Sequence, residues 1–251
     1  MRIVLLITSL FCLPFSSFVS ADELRVMTYN IHHGEGTDRK FDLERIAKLI
    51  LAEKPDLVAI QEVDVKTKRA SGLDQAAELA RLTGMHGRFG KFMDFSGGEY
   101  GQMVLSRFPV KKVTNHPLPN GTEPRAALAI EIELPDGTPL TFVGNHLSGS
   151  AKQRLAQANE LVNLFTKYFA TTILAGDFNS EPDDPVTKLL QRHWQNPDAD
   201  KIVGTWPSSD PEVEIDYIFT PKKSKTTRYE VIDEKVASDH RPLISVIELQ
   251  K

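Results

Sequence analysis

Four short apolar runs constrain this chain most, because each ends on or leads into a residue that can bind a cation or carry a proton. Val26 to Asn30 closes on an amide, and Leu57 to Gln61 runs into Glu62. Thr172 to Ala175 precedes Gly176-Asp177-Phe178-Asn179, while Ser238-Asp239-His240 leads into the run from Leu243. Runs of this length and composition read as buried strands. A fold that gathers such strand ends at one edge would assemble carboxylates, amides and imidazoles. That set suits a hard divalent cation and a phosphate. The pattern is that of an enzyme.

Residues 1–21 read separately. Arg2 gives a positive start, Ile3 to Leu13 is almost wholly apolar, and Val19-Ser20-Ala21 offers a small-residue cleavage site before Asp22. This is a secretory signal pattern, and its apolar core is short for a membrane span. An exported protein, periplasmic or secreted, is expected. Cleavage would remove Cys12, the only cysteine, so the core rather than disulfides must hold the mature chain. It would also remove Arg2, the only charge in that segment, taking the formal net charge from −4 to −5. A mildly acidic chain is a poor general polyanion binder. Nucleic acid is therefore a less favoured substrate.

No repeat, low-complexity tract or linker divides the rest, so residues 22–251 read as one domain and are expected to be monomeric. Strands are expected at Leu24–Asn30, 57–61, Gly101–Ser106, Val110–Thr114, Ala126–Leu134, Leu140–Asn145, Ile215–Phe219, Tyr229–Val236 and Leu243–Leu249. Helices are expected from Asp42 to Pro55, over Leu73–Leu82 with Gly84 as C-cap, over Ala151–Phe169, and from Asp184-Pro185 to near His193. Strands outnumber helices, and hairpin signals such as Asp136-Gly137 favour antiparallel pairing. Packed sheets with helices outside follow.

Phosphate ester hydrolysis needs charge neutralised on the non-bridging oxygens, an oriented water, and a proton for the leaving oxygen. Mg2+ or Mn2+ meets the first need and prefers oxygen ligands, which Asn30, Glu62 and Asp239 can supply. Asp177 and Asn179, two residues apart, can hold the attacking water. His146 and His240 are the imidazoles available for proton transfer, and Asp216 can fix the tautomer of His240.

These residues sit in six ordered motifs: TYNIHHG (28–34), PDLVAIQEVD (55–64), GNHL (144–147), GDFN (176–179), IDYIF (215–219) and SDHRPL (238–243). Together they resemble the endonuclease/exonuclease/phosphatase superfamily, with the fold of pancreatic-type deoxyribonuclease, over essentially all of the mature chain. The resemblance implies a mixed α/β chain folded as a four-layer α/β/β/α sandwich with the site at one end. It implies metal-side roles for Asn30, Glu62 and Asp239, and catalytic roles for His146, Asp177, Asn179, Asp216 and His240. It places Arg125 as a phosphate contact and Gln102 where relatives carry a carboxylate paired with the acid histidine. A glutamine there would orient His146 but stabilise its cation less. The implied reaction is phosphodiester hydrolysis, with a small or lipid-derived diester as the leading substrate and DNA or RNA as the alternative.

Around these motifs, His32 and His33 are expected to shape the loop after Asn30 rather than ligate metal. Arg69 and Gln75 either reach the cleft rim or, as the default, form a solvated helix start, and Lys222, Lys223 and Lys225 read as a solvated turn. Phe92, Phe95, Tyr100 and Trp206 fall on predicted loops, where they line the substrate mouth or pack the loops themselves.

Overall fold

The computed structural model describes residues 23–119, 121, 123–167, 171–197 and 204–249. The signal segment and the end of the expected 151–169 helix lie outside them. The first half supplies β1 (Glu23–Asn30), α1 (Leu43–Glu53), β2 (Leu57–Val65), α2 (Gln75–Thr83), β3 (His86–Phe95) and β4 (Gly98–Ser106). Then come β5 (Val110–Pro117), β6 (Ala126–Glu133), β7 (Pro139–His146), α3 (Ala151–Phe165), β8 (Thr172–Asp177) and α4 (Pro185–Gln191). Last are β9 (Asp216–Phe219), β10 (Lys225–Val231) and β11 (Leu243–Glu248).

These strands form a six-stranded sheet, β10-β11-β1-β2-β4-β3, and a five-stranded sheet, β5-β6-β7-β8-β9. Their facing surfaces share one apolar core, including Val26, Ala59, Val104, Phe142, Ile173 and Ile218. On the outer face of the first sheet, α1 and α2 cover Met27, Tyr29, Val58 and Ile60. On the outer face of the second, α3 and α4 cover Val143, Leu174, Tyr217 and Phe219. The result is the four-layer sandwich expected from the motifs.

Local chemistry accounts for the helix ends. Asp42 accepts from Arg45 N at 2.8 Å, Asp74 from Ala77 N at 2.9 Å and Asp184 from Val186 N at 2.9 Å, each filling an orphan donor of a first turn. Gly84 closes α2 with φ +68°, where a side chain would be strained.

The pairing directions position the site. Most neighbours run antiparallel, but β1 pairs parallel with β2 and β7 with β8. Each parallel pair is joined by a helical crossover, so both of its strands end at the same edge. Asn30 and Glu62 thereby reach one end of the first sheet, as His146 and Asp177 do in the second.

Two expectations are corrected. His86–Phe95 is a strand, and the strand expected at Gly101 begins at Gly98, so Phe92, Phe95 and Tyr100 lie on strands rather than loops. β3 is an edge strand of mixed burial with glycine at 87 and 90, which blurs its alternation. The strand expected at Tyr229–Val236 lies at Lys225–Val231. It too is an edge, half exposed and polar, so hydrophobic periodicity does not mark its register.

Candidate active site

Followed along the strands, the surface between the sheets changes from apolar to polar. Val26, Ala59, Val104, Phe142, Ala175 and Ile218 belong to the shared core. Two or four residues on, strand alternation brings the same faces to Asn30, Gln61, Gln102, His146, Asp177 and Asp216, all buried. Gly144 keeps the sheets close beneath this layer, since a Cβ there would lie 2.9 Å from Val104 Cγ1.

Glu62 reaches the site through a break in that alternation. A bulge shifts the register of β2 against β4 between Gln61 and Val63, and Glu62 adopts φ +59°. Val63 then takes the helix-facing slot after Val58 and Ile60, leaving Glu62 unpaired. A left-handed φ at a non-glycine residue is strain of the kind held at functional sites.

Asn30 is the hub that joins the sheets. Its Nδ2 lies 3.2 Å from Glu62 Oε1, 3.1 Å from Asp177 Oδ2 and 3.4 Å from His240 Nε2. Its Oδ1 accepts from His32 N at 3.1 Å. Ser238 Oγ donates to the Asn30 carbonyl at 2.7 Å, fastening the Asp239-His240 segment to the end of β1.

Around Asp177 Oδ2 stand two imidazoles, His146 Nε2 at 3.5 Å and His240 Nε2 at 3.9 Å. Their environments push them apart. Burial opposes charge on His240, but the carboxylates of Asp216, Asp177 and Asp239 outweigh it and raise its pKa to about 10. Its Nδ1–H donates to Asp216 Oδ2 at 2.9 Å, the partnership expected for Asp216. His146 is held well below its usual value, first by burial and then by the neighbouring Arg125 guanidinium. Arg125 Nη1 lies 3.5 Å from His146 Nδ1 and can only donate, which leaves the ring proton on Nε2, facing Asp177. Burial, with repulsion from Asp216, raises Asp177 to about 7.

The other residues fall into place as follows. Asn179, at φ +49°, donates from its backbone to Asp177 Oδ1 at 2.8 Å and from Nδ2 to the Leu147 carbonyl at 3.0 Å, tying the ends of β7 and β8 together. Arg125 is buried, with its guanidinium 5.3 Å from the Phe92 ring centroid. Asp239 flanks His240 and accepts from Trp206 Nε1 at 3.4 Å. Gln102 departs from expectation. Its amide donates to the Ala126 carbonyl at 2.8 Å, its Oε1 has no partner among the described residues, and it forms no hydrogen bond with His146. Arg125 takes that place instead, because of these two side chains its guanidinium is the one within hydrogen-bond distance of the imidazole.

Sequence reasoning missed the supports of Glu62. Gln75 is fully buried rather than solvated, donating to the His33 carbonyl at 2.6 Å and accepting from Asp64 N at 2.9 Å. It thus ties the turn after Asn30 to the strand just past the bulge. Asp64 is itself buried, in a two-bond pair with Arg69 at 2.6 and 2.8 Å. The signal was the spacing of Asp64 and Gln75 around the Glu62 motif, which only the bulge makes meaningful.

The donor set fits a divalent cation. Burial works against ionisation of Glu62, yet His33, 3.9 Å away, and the Asn30 amide help hold it well below the usual carboxylate range. Among the described residues no Lys or Arg pairs with it, so an anionic oxygen is left for a cation beside the Asn30 amide. The buried side chains of Asp177, Asp216 and His240 also bring their ligand atoms within 4.8 Å of one another.

Comparison with known proteins decides the family. The model of the Endonuclease/Exonuclease/phosphatase family matches residues 27–240. The chain belongs to this family. Endonuclease/exonuclease/phosphatase members are phosphoesterases and nucleases that typically use divalent metals. Among solved structures, the chain is similar to an endonuclease/exonuclease/phosphatase from Beutenbergia cavernae, with TM-score 0.76 and 26% identity over 91% of this chain and 72% of that one. It also shares its fold with a mannosyl-6-phosphatase from Bacteroides thetaiotaomicron (TM-score 0.70, 18% identity, 90% and 100% covered). The human Nocturnin catalytic domain with bound sulfate is similar too (TM-score 0.71, 22% identity, 91% and 95% covered). No curated protein matches the sequence.

Proposed function

We propose that this family member is a divalent-metal-dependent hydrolase that cleaves phosphodiesters by in-line attack of water. One observation carries the reading: the Asn30 amide joins Glu62 to Asp177, with both imidazoles within 4 Å of Asp177 Oδ2. A cation held by Glu62, Asn30 and Asp239 would neutralise charge on the non-bridging oxygens. Arg125 supports the same oxygens. Asp177, placed by Asn179 and assisted by the His240–Asp216 pair, orients the attacking water and takes its proton as the new O–P bond forms. His146 serves the leaving oxygen. The arriving phosphate anion opposes the influences that keep this ring neutral and raises its proton affinity. The ring thereby takes up one proton from solvent, gives its Nε2 proton to the departing oxygen as the ester P–O bond breaks and returns to neutral, while the proton taken by Asp177 is released to solvent.

The acidic balance favours a small or lipid-derived diester over DNA or RNA. A nuclease is the alternative, and the fold shared with a mannosyl-6-phosphatase supports testing a phosphate monoester as well. Export follows from the Arg2, Ile3–Leu13 and Val19-Ser20-Ala21 pattern, and would give a mature protein that begins at Asp22. The test is a metal-by-substrate panel on the mature chain, covering plasmid DNA, RNA, sphingomyelin, a glycerophosphodiester, an inositol phosphate and an activated diester. Diester turnover with Mg2+ or Mn2+ that stops in chelator is the expected result. Absence of turnover with every divalent ion would overturn the reading.

A further inference from the structure

The two carboxylate oxygens of Glu62 keep different company. Oε1 accepts from Asn30 Nδ2 at 3.2 Å. The Asn30 amide is fixed in that direction, because its Oδ1 accepts from the His32 backbone N–H, which can only donate. An amide N–H steadies a carboxylate but offers a cation no lone pair. Oε2 has no hydrogen-bond donor among the described residues and faces His33, whose Nδ1 lies 3.9 Å away.

His33 Nδ1 is buried, and it too has no hydrogen-bond partner among the described residues. Across the ring, Nε2 lies 3.8 Å from Glu35 Oε2. Both gaps are too long for hydrogen bonds, so neither carboxylate satisfies the ring directly. They suit another arrangement. Two atoms that share one cation at about 2.1 Å each stand about 3–4 Å apart. A carboxylate behind the far nitrogen is the common support of a ligating imidazole, since it holds the tautomer whose near nitrogen keeps a lone pair.

The backbone commits the ring to this direction. His32 and His33 hold φ of +45° and +46°, consecutive left-handed conformations that residues other than glycine rarely adopt. Gly34 N donates to the Ile31 carbonyl at 2.8 Å and Glu35 N to the His32 carbonyl at 2.9 Å, closing the turn. The same buried Gln75 that holds the His33 carbonyl also holds Asp64 N, two residues past Glu62. One glutamine thus fixes both the turn that aims the imidazole and the strand that carries the carboxylate. Loop shaping, the role expected of His33, would leave its buried nitrogen unsatisfied.

We infer that His33 Nδ1 is a nitrogen ligand to the cation at Glu62, a role that rests on the hydrolase reading above and specifies its metal as a first-row transition ion such as Mn2+ in preference to Mg2+. Mg2+ favours oxygen ligands and gives up water reluctantly, whereas imidazole suits transition ions. In this role His33 is neutral, with its proton on Nε2 toward Glu35.

The experiment reads nitrogen bound to Mn2+ by pulsed electron paramagnetic resonance and measures Mn2+ and Mg2+ affinity by calorimetry. The variants are His33→Asn and His33→Gly, because asparagine and glycine both tolerate the left-handed φ at this position. Wild-type protein should show directly coordinated nitrogen, and both variants should lose it. His33→Asn should bind Mn2+ at least about tenfold more weakly, while its Mg2+ affinity stays within about threefold. Glu35→Gln should keep the nitrogen signal and weaken Mn2+ by less than His33→Asn does. Bound Mn2+ without nitrogen in wild-type protein would overturn the inference. So would a nitrogen signal that survives both variants, which would trace it to His146 or His240.

Activity separates this ligand from the hydrolase reading. If the nitrogen signal depends on His33 but no diester is cleaved with any divalent ion, the ligand stands and the hydrolase reading fails. If diesters are cleaved while bound Mn2+ carries no nitrogen, the ligand fails and the hydrolase stands.

Discussion

The two sheets bring different chemistry to the cleft by the same topological device. Each contains one parallel strand pair joined by a helix, and each delivers two site residues from the carboxyl ends of that pair. The first sheet gives Asn30 and Glu62, and its β10–β11 connection adds Asp239 and His240. The second gives His146 and Asp177, with Asp216 from the neighbouring β9. Oxygen ligands for a cation thus collect mainly on one sheet, and proton-handling groups mainly on the other. Two residues cross the division. Asn30 bonds to Asp177 from the first side, and His240 leans on Asp216 of the second. Cation binding and proton transfer should therefore be separable by mutation, except at those two crossings.

The largest effect should fall on turnover. His146→Ala should lower kcat by about 10²–10⁴, since it removes a positioned proton donor. Mn2+ affinity, measured by calorimetry, should change little, because His146 belongs to the other sheet. Glu62→Gln should do the reverse first, weakening Mn2+ binding by at least about tenfold to a hundredfold, with turnover partly recovered at high metal. If His146→Ala abolished metal binding, or Glu62→Gln left it intact, the division between the sheets would fail.

The pH response sharpens the picture at the crossing residue His240. Its folded pKa of about 10 lies above the ordinary 6.5, so between these values the folded chain holds more protons than the unfolded one. The stability that His240 contributes is fully present below about pH 6.5 and is lost as pH rises through about 10. In metal-free protein, thermal stability should fall across that window, and Asp216→Asn should flatten the fall by removing the main anionic partner. Asp177 sets the limit on activity. Raised to about 7, it must lose its proton to accept one from water, so activity should decline below neutral pH. An unchanged pH–stability slope in Asp216→Asn, seen in melting curves, would remove Asp216 as the cause.

Much of this was legible because strand chemistry is local. Apolar runs ending in Asn30, His146 and Asp177 announced both the strands and the faces on which those residues lie. Asp42 and Asp184 cap the starts of α1 and α4 by rules that need only a few residues of context. What escaped was non-local. β3 and β10 are edge strands, and half-exposed edges carry little hydrophobic period. The bulge that turns Glu62 into the cleft depends on pairing with β4, some forty residues on, and the burial of Gln75 depends on that bulge. Gln102 was assigned by motif position, whereas the reach of its side chain decided its contacts.

Gln102 supplies the smallest prediction, and it is a sharp one. Among the described residues its single side-chain bond goes to a backbone carbonyl, and its Oε1 sits buried without a partner. Gln102→Met loses that bond and leaves the Ala126 carbonyl one partner short, but it also removes an unsatisfied acceptor at similar volume. These terms oppose, so stability should change by less than about 1.5 kcal/mol. Turnover should stay within about threefold of the parent, well short of the loss expected for lost acid–base help, because Arg125 rather than Gln102 touches His146. Arg125→Gln should affect kcat far more in the same assay. A Gln102→Met defect as deep as that of His146→Ala would show that the amide turns toward the imidazole once substrate is bound.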